Sequence, residues 1–144
     1  NIDEAIKQCD IGDAISPDEP DFLRLKCAFL LTPQMYDKAK IAAEEGIRRF
    51  PEEKQFLLAL GEASLNLGKL DEAERAFEKI IDSPLNNGIV YERLAEIKLR
   101  RNQISEAKDY IEKALKMDPS NKLYKNLMSQ ILQYMEENKT YGSK

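Results

Sequence analysis

The sequence predicts an all-α fold built from repeated antiparallel helix pairs, and three observations predict it. Ala5, Ala39, Ala73 and Ala107 are spaced by 34 residues three times over. Twelve residues after each alanine stand Pro17, Pro51, Leu85 and Pro119, with Pro84 one place early in the exception. Within each period the apolar residues recur at three and four, as a helix with one buried face requires.

Each period divides into the same parts. Leu57, Leu58, Leu60, Gly61 and Leu65 mark a first helix, and Leu70, Ala73, Ala76, Phe77, Ile80 and Ile81 a second. Between them lies Asn66-Leu67-Gly68-Lys69, whose glycine can take the left-handed conformation that ends a helix without a Cβ clash. Pro33-Gln34 and Asn102-Gln103 occupy the matching turns. Asp3, Asp37, Asp71 and Ser105, two places before each alanine, are expected to cap the second helix and favour its dipole. The proline column then stops it, because proline lacks the N–H a continuing helix needs. The alanine column itself has a packing reason. Helices joined by so short a turn pack closely, and the facing first-helix column, Cys27, Gly61 and Ala95, is small throughout.

Composition narrows the function. The chain of 144 residues fits the length of one domain and contains no histidine and two cysteines. That excludes a Ser-His-Asp triad, a Cys-His pair and a His-ligated zinc, and no cofactor or metal is expected. There is no GxGxxG or Walker sequence to hold phosphate. Adjacent acids such as Glu44-Glu45 and Glu136-Glu137 diverge around a helix instead of converging across a cleft. Net charge is −4 with a pI near 5.1, which argues against nucleic acid as partner. Residues 1–19 hold six acids against one lysine, whereas 88–144 hold eleven bases against eight acids. No stretch approaches the apolar run that a membrane helix needs. The chain opens on Asn1, so a trimmed product continuing N-terminally is expected, and a cytoplasmic location is the default.

A 34-residue helix–turn–helix unit with these small, alanine, aromatic and proline columns resembles the tetratricopeptide repeat (TPR). Residues 54–87 carry the likeness best, with Leu57-x-x-Leu60-Gly61, Gly68, Ala73 and Phe77. The family's first-helix tryptophan is absent, and its tyrosine column reads Leu30, Ser64 and Lys98. The resemblance implies a right-handed superhelical solenoid of antiparallel helix pairs. Its expected divisions are 1–19 as the second half of an upstream repeat, repeats at 20–53, 54–87 and 88–121, a capping helix at 122–138 and a disordered tail at 139–144, all in one continuous domain. Lys122, Lys125, Asn126, Gln130, Gln133, Glu136 and Glu137 supply the polar face that a cap needs.

The resemblance also implies a concave groove lined by first helices. Its residues here are Asp21, Arg24 and Ala28; Gln55, Leu58, Glu62 and Asn66; and Ile89, Glu92, Arg93, Glu96 and Arg100. TPR modules that clamp the C-terminal carboxylates of heat-shock chaperones use Lys, Asn and Arg on such helices. The matching columns are Arg24, Ala28, Ala59, Ile89 and Arg93, so the gripping asparagines are missing and no such clamp is expected. The implied function is a protein–protein interaction scaffold that holds a partner's peptide or helix, with no intrinsic catalysis. Two alternatives stay open: a regulatory or substrate-recruiting segment of a larger enzyme, and a self-association module pairing through exposed repeat ends such as Ile2, Ile6 and Ile15.

Cys9 and Cys27 fall at packing columns and read as buried free thiols, with a disulfide between the helices as the alternative. Most of the aromatic residues sit on apolar faces and read as core, with Tyr134 and Tyr141 the more exposed. The packing argument has a direct test. Ala73→Leu should lower stability by about 1–3 kcal/mol by overpacking the helix pair, read as an earlier thermal melt than the parent's.

Overall fold

The computed structural model describes residues 1–142 as eight helices with no strand among them. These are α1 (Ile2–Ile15), α2 (Asp21–Leu30), α3 (Tyr36–Arg49), α4 (Gln55–Asn66), α5 (Leu70–Glu78), α6 (Ile89–Arg100), α7 (Ile104–Met117) and α8 (Lys122–Gly142). First helices of the period are α2, α4 and α6; second helices are α1, α3, α5 and α7. Where the sequence leads one to expect one continuous domain, the contacts fall into two compact units, 1–85 and 86–144.

The turns follow from local chemistry. After α4, Lys69 N–H donates to Ser64 O at 2.8 Å and Gly68 N–H to Leu65 O at 3.1 Å, with Gly68 at φ +75°. After α6 the same pair of bonds runs from Gln103 to Lys98 and from Asn102 to Leu99, with Asn102 at φ +58°. Both close the last turn by the crossed bonding of a left-handed helix end. The first turn differs. Pro33 falls where Leu67 stands one period later, so α2 ends two residues earlier than α4 and a five-residue connection follows. Expected caps are corrected too. Asp37, Asp71 and Ser105 are second residues of their helices, and the capping positions are Met35, Lys69 and Gln103, none with a side-chain cap bond. Asp37 and Asp71 still lie where the dipole favours a carboxylate.

The period with the displaced proline also has the shortest second helix. α1, α3 and α7 each run 14 residues, whereas α5 stops after nine. Ile80, Ile81 and Ser83 then bond three residues back, to Phe77, Glu78 and Ile80, in tighter turns. At the other end of the chain, the tail expected from 139 onward is corrected. α8 continues to Gly142, with Thr140 Oγ1 donating to Glu136 O at 3.1 Å, while residues 143–144 of that expectation lie outside the described residues.

Packing in unit 1–85 depends on glycine. A Cβ on Gly12 would meet the Phe22 ring at 2.4 Å, one on Gly46 the Phe56 ring at 2.2 Å, and one on Gly61 the Phe77 ring at 2.6 Å. Gly61 is therefore held small by Phe77, one turn beyond the Ala73 that the sequence sets against it. Cys27, Ala39 and Ala43 meet in one buried cluster with Leu23, Leu30 and Phe56. In unit 86–144, Ala95, Ala107 and Ile111 form the core with Ile131 of α8. The polar residues expected to cap α8 are all exposed. So are Ile2 and Ile15 on α1, while Ile6 is half-buried.

The ring contacts give a sign reversal to test. Gly46→Ala should destabilise by about 1–3 kcal/mol through the clash with Phe56. In a Phe56→Ala background, which removes every ring atom the new Cβ would meet, the same change should be neutral or stabilising by up to about 1 kcal/mol, because helix propensity then prevails. Urea unfolding of the four proteins measures the coupling.

Candidate functional site

In unit 1–85 the two first helices, α2 and α4, are neighbours and present a shared face. Arg24 is its centre. One guanidinium nitrogen donates to Gln55 Oε1 at 2.6 Å and lies 3.4 Å from a Glu53 carboxylate oxygen; the other bonds the Asp21 carboxylate one turn earlier. Three of the expected residues, Asp21, Arg24 and Gln55, are thus gathered into one polar array. Further along α4, Asn66 donates its amide to Glu62 O at 2.8 Å, and Leu58 is half-buried.

Unit 86–144 contributes α6. Arg93 sits 3.1 Å from Glu92 and 3.8 Å from Glu96, and Arg100 bonds Glu96 at 2.6 Å. Glu92 departs from the expectation of an open position, since its side chain is buried. Its charge lies close enough to Tyr124 to raise that phenol's pKa, after burial as the first cause. Tyr124 in turn fixes Gly88 at the start of α6, where a Cβ would come within 2.9 Å of the hydroxyl.

Neither thiol is disulfide-bonded, and both are buried. Burial pushes Cys27 up to about 11 and raises Cys9 as well, so both are inert hydrophobic side chains in the core. Among the described residues no group of three metal-ligating side chains is gathered, and no helix is long and apolar enough to cross a membrane.

A second recess escaped the sequence reading. It lies between α1 and α3 over α2, with a volume of about 550 Å³. Arg49 grips both oxygens of Asp13 there at 2.8 Å and donates to Pro17 O at 2.6 Å, and the Asp13 bond raises its pKa further. A signal was available. In the 34-residue column Lys7, Ile41, Arg75 and Asp109, one aliphatic replaces charge, and Ile41 lines this recess while 66% exposed.

Helix pairs repeated at a fixed interval and joined by short turns define the class of helical repeat proteins. The chain belongs to the tetratricopeptide repeat family. Tetratricopeptide repeat models match residues 34–86 and 89–121, together more than half of it. No curated protein matches in sequence. Among solved structures, the MamA RS-1 ArsTM double mutant superposes with a TM-score of 0.85 at 15% identity, covering 99% of this chain and 80% of that one. The first TPR of Spaghetti (RPAP3), bound to the HSP90 peptide SRMEEVD, gives 0.72 at 21%, covering 79% and 90%. The Yersinia enterocolitica type III secretion chaperone SycD, in complex with a peptide of the translocator YopD, gives 0.68 at 16%, covering 85% and 93%. At these identities the likeness is one of fold.

The thiol at Cys27 gives a pH test. In the unfolded chain it ionises near its ordinary value of 9.0, while in the folded protein it holds its proton to about 11. The folded state therefore binds more protons in that window, and stability falls as pH rises through it. The parent's urea midpoint should drop more steeply across the window than that of Cys27→Ala.

Proposed function

We propose that this chain is a protein-interaction module that holds a peptide or short helix of a partner protein on its first-helix faces, without chemistry of its own. The observation that carries the reading is the array of Arg24 with Asp21 and Gln55. Its side chains are positioned by each other across two repeats before any partner arrives. Such preorganisation lowers the ordering cost of binding, which otherwise consumes much of the interface energy. The RPAP3 and SycD structures, each with a peptide bound, support the same role for a surface of this fold.

The array also argues against a clamp for chaperone-tail carboxylates. Arg24 already faces two carboxylates and an amide oxygen, so an incoming carboxylate meets a neutralised cation. Ala28, Ala59 and Ile89 offer no side-chain donor in the matching columns.

Affinity capture from lysate with the parent beside Arg24→Glu/Arg93→Glu tests the reading. Proteins bound on these faces should fall at least tenfold with the double variant, while far-UV circular dichroism stays unchanged. Equal capture by both proteins would remove the first-helix faces from the proposal. A fluorescent peptide ending Glu-Glu-Val-Asp should show no submicromolar binding to the parent.

A further inference from the structure

The recess between α1 and α3 has walls, a floor, a closed end and an open end, all within unit 1–85. Its walls are two second helices, and its floor is α2, where Leu23 and Leu30 lie largely buried beside Ile6 and Ala42 and Lys26 reaches across to Asp10 of α1. The Arg49–Asp13 bond joins the carboxy-terminal turns of α3 and α1 and shuts one end. Ten residues back along α1, about 15 Å at 1.5 Å per residue, Asp3 lines the other end with Lys38, and no described residue bonds to either side chain. Ile41 stands exposed on the α3 wall.

We propose that this trough docks an amphipathic helix of a partner protein, inserted with an aliphatic stripe on Leu23, Ile6 and Leu30 and beside Ile41. The reasoning rests on the interaction-module reading but uses the opposite set of helices. An extended peptide is disfavoured, because its backbone N–H and C=O groups would enter a trough whose helical walls have no free backbone partners. A helix satisfies its own backbone, and about 15 Å accommodates nearly three turns.

The charges fix the orientation. α1 carries four acids against one lysine, while α3 carries four bases against three acids. At the open end this contrast reduces to one acid on the α1 wall, Asp3, and one base on the α3 wall, Lys38. The matching helix therefore has lysine or arginine on the flank towards α1 and glutamate or aspartate on the flank towards α3. Such side chains set register and direction more than raw affinity.

Two designed, fluorescein-labelled helical peptides test this by anisotropy. Both carry leucines at i, i+3, i+4 and i+7; one has lysine and glutamate on the flanks described, the other has the two flanks exchanged. The first should bind the parent measurably more tightly than the second. Ile41→Asp, at an exposed position, should weaken the first peptide at least tenfold while far-UV circular dichroism stays unchanged. Asp3→Lys/Lys38→Glu should reverse the preference between the two peptides. Absence of binding, equal binding of both peptides, or loss of binding with Arg24→Glu in place of Ile41→Asp would each overturn the proposal. The last outcome would move the helix to the first-helix face and leave the proposed module role standing. Conversely, failure of the Arg24→Glu/Arg93→Glu capture test leaves the trough result unaffected.

Discussion

An aromatic ring packed against a glycine of the neighbouring helix sets how closely the helices of unit 1–85 approach. Gly12 takes Phe22, Gly46 takes Phe56 and Gly61 takes Phe77, each without room for a methyl group. The first two contacts draw α2 against α1 and α4 against α3; the third locks α4 to α5. Because α2 is held between α1 and α3, these two second helices stand apart with α2 as the floor between them, and the trough results. Because α2 and α4 are fixed through successive second helices, Arg24 and Gln55 come within hydrogen-bond distance. Both candidate surfaces are thus consequences of the same close packing, since an interior of this density passes a small displacement on to its neighbours.

Charged pairs have a different part. Arg24 and Asp21, Lys40 with Glu44 and Glu72, and Arg48 with Glu45 are surface or half-exposed pairs. Such pairs contribute roughly 0–1 kcal/mol each. Their importance is positional. Lys40 spans α3 and α5, and the bonds to Glu44 and Glu72 hold its pKa above the usual lysine value. Arg49 differs, being half-buried, bidentate and bonded to a backbone carbonyl besides. A planar fork of that kind fixes geometry as well as charge, which suits a residue that closes one end of a trough.

The period made the helices legible. Alanine and proline columns marked the second helices and their ends, and Gly68 and Asn102 marked the tight turns. What the period hid was the identity of the contacts. Small residues at Cys27, Gly61 and Ala95 pointed to close approach but not to the ring that demands it, since Phe77 lies a turn away from Ala73. The Gly12–Phe22 and Gly46–Phe56 pairs were present in the same 34-residue register, yet glycine inside a helical run reads as a weak helix former until its partner is seen. The shortening of α5 also lay beyond reach. Pro84 sits one place early, but the helix withdraws four residues further than that proline requires. On the site, Asp21, Arg24 and Gln55 were anticipated as neighbours on one face, whereas the nearness of Glu92 to Tyr124, two helices later in the chain, is a tertiary contact that the 34-residue period does not encode.

The two surfaces of unit 1–85 are built for different selectivity. On the first-helix face, Arg24 is surrounded by acceptors, so a partner must displace or join existing bonds, and geometry discriminates before charge does. In the trough, the exposed Ile41 and half-buried Ile6 supply apolar contact, while Asp3 and Lys38 supply direction at one end only. A second helix seated there would touch α1, α2 and α3 together, the three helices whose mutual spacing Gly12 and Phe22 help to fix. Enlarging that glycine would alter the width of the trough without changing any residue that lines it. Partner selectivity on this face is therefore coupled to core packing, and a core substitution can act as a binding substitution.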